Sequence, residues 1–192
     1  MFYPLRMDLA QIVTPDRPDF GPPLALAPGV ALAWGRVHEI TGPARRTLAA
    51  MICGAGQGTA LWFRPAWDPA RICPQGFARL GDPGRVLFAD CARGPDVLWG
   101  MEEALRSGAV GVVLGEVVAP PDLRQIRRLH LAAAEGAARA GRGVLGVVMQ
   151  HDRAESAIAG VETRWALAPD RGGGWRITRL RARGGGVESW VL

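Results

Sequence analysis

The sequence predicts an α/β fold: a mostly parallel sheet flanked by helices, with a C-terminal antiparallel β extension. Three observations predict it. Between residues 34 and 150, short apolar runs alternate with longer stretches of helical period. Two of those runs, AVGVVLGEV (109–117) and VLGVVMQ (144–150), are nearly all apolar. Strands of that kind are covered on both faces, as in a parallel sheet. Towards the C-terminus the period changes to two: ETRWALAP, GWRITRLRAR and VESWVL alternate and are joined by RGGG and GGG turns.

Residues 1–30 carry six of the 15 prolines and little periodicity. They read as an arm or linker ahead of a domain over 31–192. WGRVHEI (34–40) is a short strand, and ARRTLAAMICG (44–54) a helix ending at Gly54. GTALWF (58–63) is an apolar strand, followed by a loop with at most one helical turn, because three prolines interrupt it. GRVLFAD (84–90) is the next strand. Pro95 then opens a helix with an apolar stripe of Val97, Leu98, Met101, Ala104 and Leu105. Asp122 caps or begins a long helix, with Leu123, Ile126, His130, Ala133 and Ala137 on one face and Gly141 and Gly143 at its end. The order β-α-β-β-α-β-α-β implies parallel strands with right-handed crossovers.

Composition narrows the function. The 192 residues are 48% hydrophobic, enough for one domain with a core. No run of about 18 apolar residues marks a membrane span, and the N-terminus lacks a signal-peptide apolar region. Cys53, Cys73 and Cys91 form no CxxC pair, and His38, His130 and His151 are scattered. No metal site and no disulfide framework is expected, and reduced thiols fit a cytoplasmic protein. All 23 basic residues are arginine, so no Schiff-base lysine and no phosphate-loop lysine exists. A net charge of +5 permits nucleic-acid or acidic-protein partners.

EITGPARRTLAA (39–50) runs from strand to helix where many ATPases place a phosphate loop. Such a loop needs G-x-x-x-x-G-K-[ST], with backbone amides around the phosphates and a lysine to neutralise them. Here Gly42 stands as the first glycine, and only Pro43, Ala44, Arg45 and Arg46 precede Thr47. The second glycine and the lysine are missing. Two readings remain: a plain strand-to-helix turn, or weak anion binding at the helix N-terminus.

GRVHEITGP…RTL (35–48) resembles the strand, loop and helix start of RecA recombinases. EALRSGAVGVVLGEV (103–117) is similar to the RecA segment that ends in the magnesium-binding acidic strand, which puts Glu116 at the aspartate position. VVMQ (147–150) resembles the strand whose polar end senses the γ-phosphate, with Gln150 at that position. The resemblance covers residues 34–192 and implies a RecA-like core with a degenerate nucleotide site at Gly42, Arg46, Thr47, Glu116 and Gln150. LWFRPAWDP (61–69) stands where RecA has its catalytic glutamate, and no carboxylate matches before Asp68. The expectation is therefore no enzyme, no catalytic residues and no cofactor. Glu116 also reads simply as a strand-end carboxylate.

A narrower family is similar in more places. GRVHEITGP, LWGMEEALRSGAVGVVLGEV, LRQIRRLHLAAAEGAARAG and ETRWALAP…WRITRLRARGG…SWVL, in that order, resemble the ImuA-type proteins of bacterial DNA-damage mutagenesis. That resemblance implies a damage-induced, non-catalytic adaptor of error-prone translesion DNA synthesis, part of the SOS response. Its partners would be a catalytically inactive Y-family-like polymerase protein, an error-prone replicative-type polymerase and RecA. A cell-division inhibitor resembling the SulA family, acting on the tubulin-like division protein, is the alternative.

Contact residues are sought among the arginines and tryptophans. Arg171, Arg176, Arg179, Arg181 and Arg183 crowd beside Trp175, and in a regular strand Arg179, Arg181 and Arg183 share one face. Ile177 and Leu180 do not fit that alternation, which a bulge or an edge strand would explain. The cluster reads as a charged edge against aggregation, or as contacts to DNA phosphates or an acidic partner. Arg124, Arg127 and Arg128 read as a solvated helix face or a second contact patch. Trp34, Trp62, Trp165 and Trp190 are expected in the core, and Trp67 and Trp99 as exposed anchors.

Overall fold

The computed structural model describes residues 20–150, 157–182 and 185–192. Within them lie a two-stranded hairpin, β1 (Leu24–Ala27) and β2 (Val30–Leu32), and one eight-stranded sheet. The sheet is built from β3 (Val37–Thr41), β4 (Ala60–Pro65), β5 (Val86–Cys91), β6 (Val112–Val117), β7 (Leu145–Gln150), β8 (Thr163–Pro169), β9 (Trp175–Ala182) and β10 (Glu188–Val191). Its order is β10-β9-β8-β3-β7-β6-β4-β5. Strands β8, β3, β7, β6, β4 and β5 are mutually parallel, and β9 and β10 are antiparallel additions. The expected α/β class, with its C-terminal antiparallel strands, is the one observed.

Helices α1 (Arg45–Ala55), α2 (Pro74–Phe77), α3 (Gly94–Ser107) and α4 (Leu123–Ala140) cover the sheet. Leu48 and Ile52 of α1 join Ile40, Trp62, Leu114 and Trp165 in one core. Val97, Met101 and Leu105 of α3 and Ile126, Leu129 and Ala133 of α4 join Val37, Val113 and Val148 in the other. Every residue of β3, β6 and β7 is buried, because helices sit on both faces and strands on both sides. Asp122 caps α4 in a reciprocal box: its carboxylate accepts from Gln125 N, and the Gln125 side chain accepts from Asp122 N.

Three expectations need correction. Residues 20–30 are not all arm: Leu24 and Val30 are buried beside Leu32 in the α1-side core. Pro22, Pro23 and Pro28 flank the hairpin strands rather than interrupt them, which is where proline is tolerated. Residues 1–19 lie outside the described residues. Leu123 is not on the buried face of α4; it is 60% exposed. Arg179 and Arg181 do not share a face either. Adjacent residues Arg164 and Trp165 of β8 pair with Arg181 and Arg179, so Leu180 is the extra residue of a bulge. Neighbours along a strand point to opposite faces, and the bulge carries Arg181 across the sheet from Arg179. Arg183 and His151 lie outside the described residues.

Candidate functional site

The parallel strands β3, β4, β6 and β7 end together at Thr41, Pro65, Val117 and Gln150, the edge where open α/β sheets place their ligands. Gly42 follows β3 directly. Its φ is +92°, and a Cβ there would lie 2.7 Å from the Leu167 carbonyl oxygen. The turn packs that closely because Ala44 N donates to Leu167 O at 3.1 Å. An amide at the phosphate-loop position is thus committed to β8. Gly42→Ala is expected to destabilise the fold by about 2 kcal/mol, from the left-handed conformation and the close approach together. Urea unfolding measures it, and a cost near zero would show that the turn relaxes freely.

Arg46, in the first turn of α1, reaches across the strand ends. Its Nη2 donates to Glu116 Oε2 at 2.6 Å and to Asp68 Oδ2 at 2.7 Å, and its Nε donates to Glu116 Oε2 at 3.1 Å. Glu116 Oε1 also accepts from the buried Trp62 Nε1 at 3.0 Å. Burial opposes the Arg46 charge, but its bonds to Glu116 and Asp68 outweigh that and push its pKa up. The guanidinium is therefore held between two carboxylates of its own chain. Asp68 as a partner of Arg46 and Trp62 as a partner of Glu116 are not visible in the sequence, since the paired positions lie 22 and 54 apart.

Gln150 is buried, and its Nε2 donates to Glu39 Oε1 at 3.2 Å. Glu39 is fully buried and forms an ion pair with Arg164 at 3.0 Å. Burial pushes the Glu39 carboxyl up, and the Arg164 charge and the Ile158 amide pull it part of the way back. Thr47 lines a cavity of about 460 Å³ together with Arg46, Arg71, Phe77, Arg79 and Trp175. Of the five positions expected to form a nucleotide site, Arg46 and Glu116 are therefore in contact. Gln150 is close by, lining a cleft of about 340 Å³ with Glu116, Arg45 and Trp67. Gly42 packs against β8, and Thr47 shares the wall of the larger cavity with Arg46.

Trp67 rims this cleft and is 55% exposed; Trp99, on α3, is 66% exposed beside a second cleft lined by Phe63, Asp90 and Arg93. Trp62 and Trp165 are in the core as expected, and Trp34 and Trp190 are half-buried. The C-terminal arginines disperse. Arg176 binds Asp170 at 2.6 Å, and Arg179 binds Glu188 and lies 5.6 Å from the Trp190 ring centre. Arg171 and Arg181 are exposed. On α4, Arg128 binds Glu102 at 2.7 Å, while Arg124 and Arg127 have no ion pair among the described residues. Cys53, Cys73 and Cys91 are free, and burial pushes the Cys53 thiol up to about 12, which makes it unreactive. Among the described residues no cluster of histidine, cysteine and carboxylate groups could hold a metal ion, and no helix is long and apolar enough to cross a membrane.

Fold and site together define a class: a mostly parallel α/β protein whose strand-end edge carries an internal Arg–Glu–Asp cluster. No family model matches the chain, and no curated protein matches it.

Proposed function

We propose that this protein is a non-catalytic adaptor of damage-induced, error-prone translesion DNA synthesis, of the ImuA type and with a RecA-like core. One observation carries the non-catalytic part. The cation nearest the phosphate-loop position, Arg46, is held by Glu116 and Asp68. A nucleotide phosphate would have to displace a carboxylate from it, at the cost of leaving a poorly solvated charge without a partner. The exposed Trp67 and Trp99 near the same edge supply the kind of anchor that protein interfaces use. The mutagenesis context rests on the ordered motifs from GRVHEITGP to SWVL. The proposed partners are a catalytically inactive Y-family-like polymerase protein, an error-prone replicative-type polymerase and RecA, met in the cytoplasm, with DNA contact in the assembly.

A tagged pull-down from DNA-damaged cells, read by mass spectrometry, tests this. The expected result is recovery of a polymerase-like partner or RecA from wild type and its loss from W67A/W99A. Recovery of the tubulin-like division protein instead would replace the adaptor reading with the division-inhibitor one. ATP turnover by the purified protein, with or without single-stranded DNA, would overturn the non-catalytic assignment.

A further inference from the structure

The outer face of α4 combines three features that a solvated helix does not need. The first is apolar exposure. Leu123 and Leu131 are 60% and 63% exposed on a helix whose opposite face is fully packed through Ile126, Leu129 and Ala133. They stand eight residues apart, about 12 Å along the axis, with Arg127 midway on the same stripe. The second is charge without compensation. Arg128 and Arg139 on this helix, and Arg106 on α3, all bind Glu102 or Glu135. Arg124 and Arg127 bind no acid among the described residues, although they occupy the same pair of packed helices.

The third feature is the end of the helix at which these arginines sit. The first turn of α4 contains Arg124 and no acid. The helix dipole places positive charge there, and an arginine in that turn adds to it. The N-cap Asp122 carboxylate offsets part of the dipole by accepting from Gln125 N at 2.7 Å, but it forms no ion pair with Arg124 among the described residues. Arginine, dipole and exposed leucines are therefore gathered on the N-terminal half of one rigid helix. An acidic ligand with apolar side chains would remove all three penalties at once.

We propose that this face docks an acidic, leucine-bearing segment of a partner protein, with its apolar side chains covering Leu123 and Leu131 and its carboxylates paired with Arg124 and Arg127. A second copy of this chain does not fit, because a symmetric contact would set arginine against arginine. A nucleic acid would satisfy the arginines but leave the leucines exposed, and two leucines are too little apolar area for a lipid surface. The inference rests on the adaptor reading only in requiring a protein partner, and its test uses none of the translesion proteins. A failed pull-down and a failed docking face are thus separate results.

The test is selection of a displayed random peptide library on the full chain, with counter-selection against R124E/R127E/L131S. The expected winners are rich in Asp, Glu and leucine-like residues. L131S alone and R127E alone should each weaken their binding at least about tenfold, while R79S, on the α1 side of the sheet, leaves it unchanged. Both single variants alter exposed positions, and their thermal melts should match wild type. No enrichment, or binding unaffected by L131S and R127E, would overturn the proposal. So would binding of a single-stranded oligonucleotide, or of vesicles rich in anionic lipid, that R124E/R127E abolishes while no peptide is selected.

Discussion

Arg46→Met is expected to destabilise the protein by about 3 kcal/mol, the size found when one member of a poorly solvated ion pair is removed. For a chain of 192 residues that lowers the melting temperature by roughly 10 °C. The loss arises mainly at Glu116, whose side chain is nearly buried between Arg46 and Trp62. Without the guanidinium its charge has only the indole N–H. Asp68 is more open and can turn to water. The double variant R46M/E116Q is therefore expected to recover about half of the loss: the glutamine still accepts from Trp62 Nε1 and carries no charge. Urea unfolding of wild type, R46M, E116Q and R46M/E116Q forms a cycle that isolates the coupling. A cost below about 1 kcal/mol for R46M would reduce the cluster to an ordinary surface pair, and the main support for a closed nucleotide site would go with it.

The second large effect is acid sensitivity centred on His38. This residue is completely buried, and burial lowers its pKa from 6.5 to about 4. A chain of hydrogen bonds fixes its neutral form. Trp165 Nε1 donates to Thr163 Oγ at 2.7 Å, Thr163 Oγ donates to His38 Nδ1 at 2.6 Å, and His38 Nε2 donates to Ala33 O at 3.0 Å. A proton on Nδ1 would turn that acceptor into a donor facing a hydroxyl already oriented towards it. The unfolded chain takes up a proton near pH 6.5, and the folded chain only near pH 4. The stability contributed by neutral His38 is thus whole above pH 6.5 and is lost as pH falls towards 4, to a total of about 3 kcal/mol.

Glu39 acts in the opposite direction. Its raised pKa lets the folded state take up a proton before the unfolded state does, so acidification stabilises through that group. The comparison that isolates His38 is therefore wild type against H38Q, which keeps a donor and an acceptor but does not titrate. Urea midpoints between about pH 7.5 and pH 4.5 should fall more steeply for wild type. Parallel curves for the two proteins would remove His38 as the source.

Much of the scaffold was legible in the residues because local pattern and burial coincide there. β6 and β7 read as fully covered strands from their apolar runs, and both are. Asp122 read as the start of α4, and its capping box begins that helix. Leu180 broke the alternation of its strand, and a bulge lies there. The hairpin at Leu24–Leu32 is obscured because its first strand, LALA, is only four residues long and lies between prolines. The separation of Arg179 from Arg181 was hidden too, since a bulge can be suspected from sequence but its position depends on the partner strand.

By itself the sequence determined the α/β class, the order of its elements from residue 34 onward, the absence of any lysine and the incompleteness of the phosphate-loop motif. Those properties are written in residue type and in spacing over a few turns. Only the tertiary structure decided what replaces the missing chemistry: Arg46 meets Glu116 and Asp68, Glu39 meets Arg164 and Gln150, and His38 meets Thr163. Each pairing joins groups far apart in the chain, brought together by strand order and by the common level at which parallel strands end. Charge pairing acts over a few ångströms in space, so no periodicity along the chain records it.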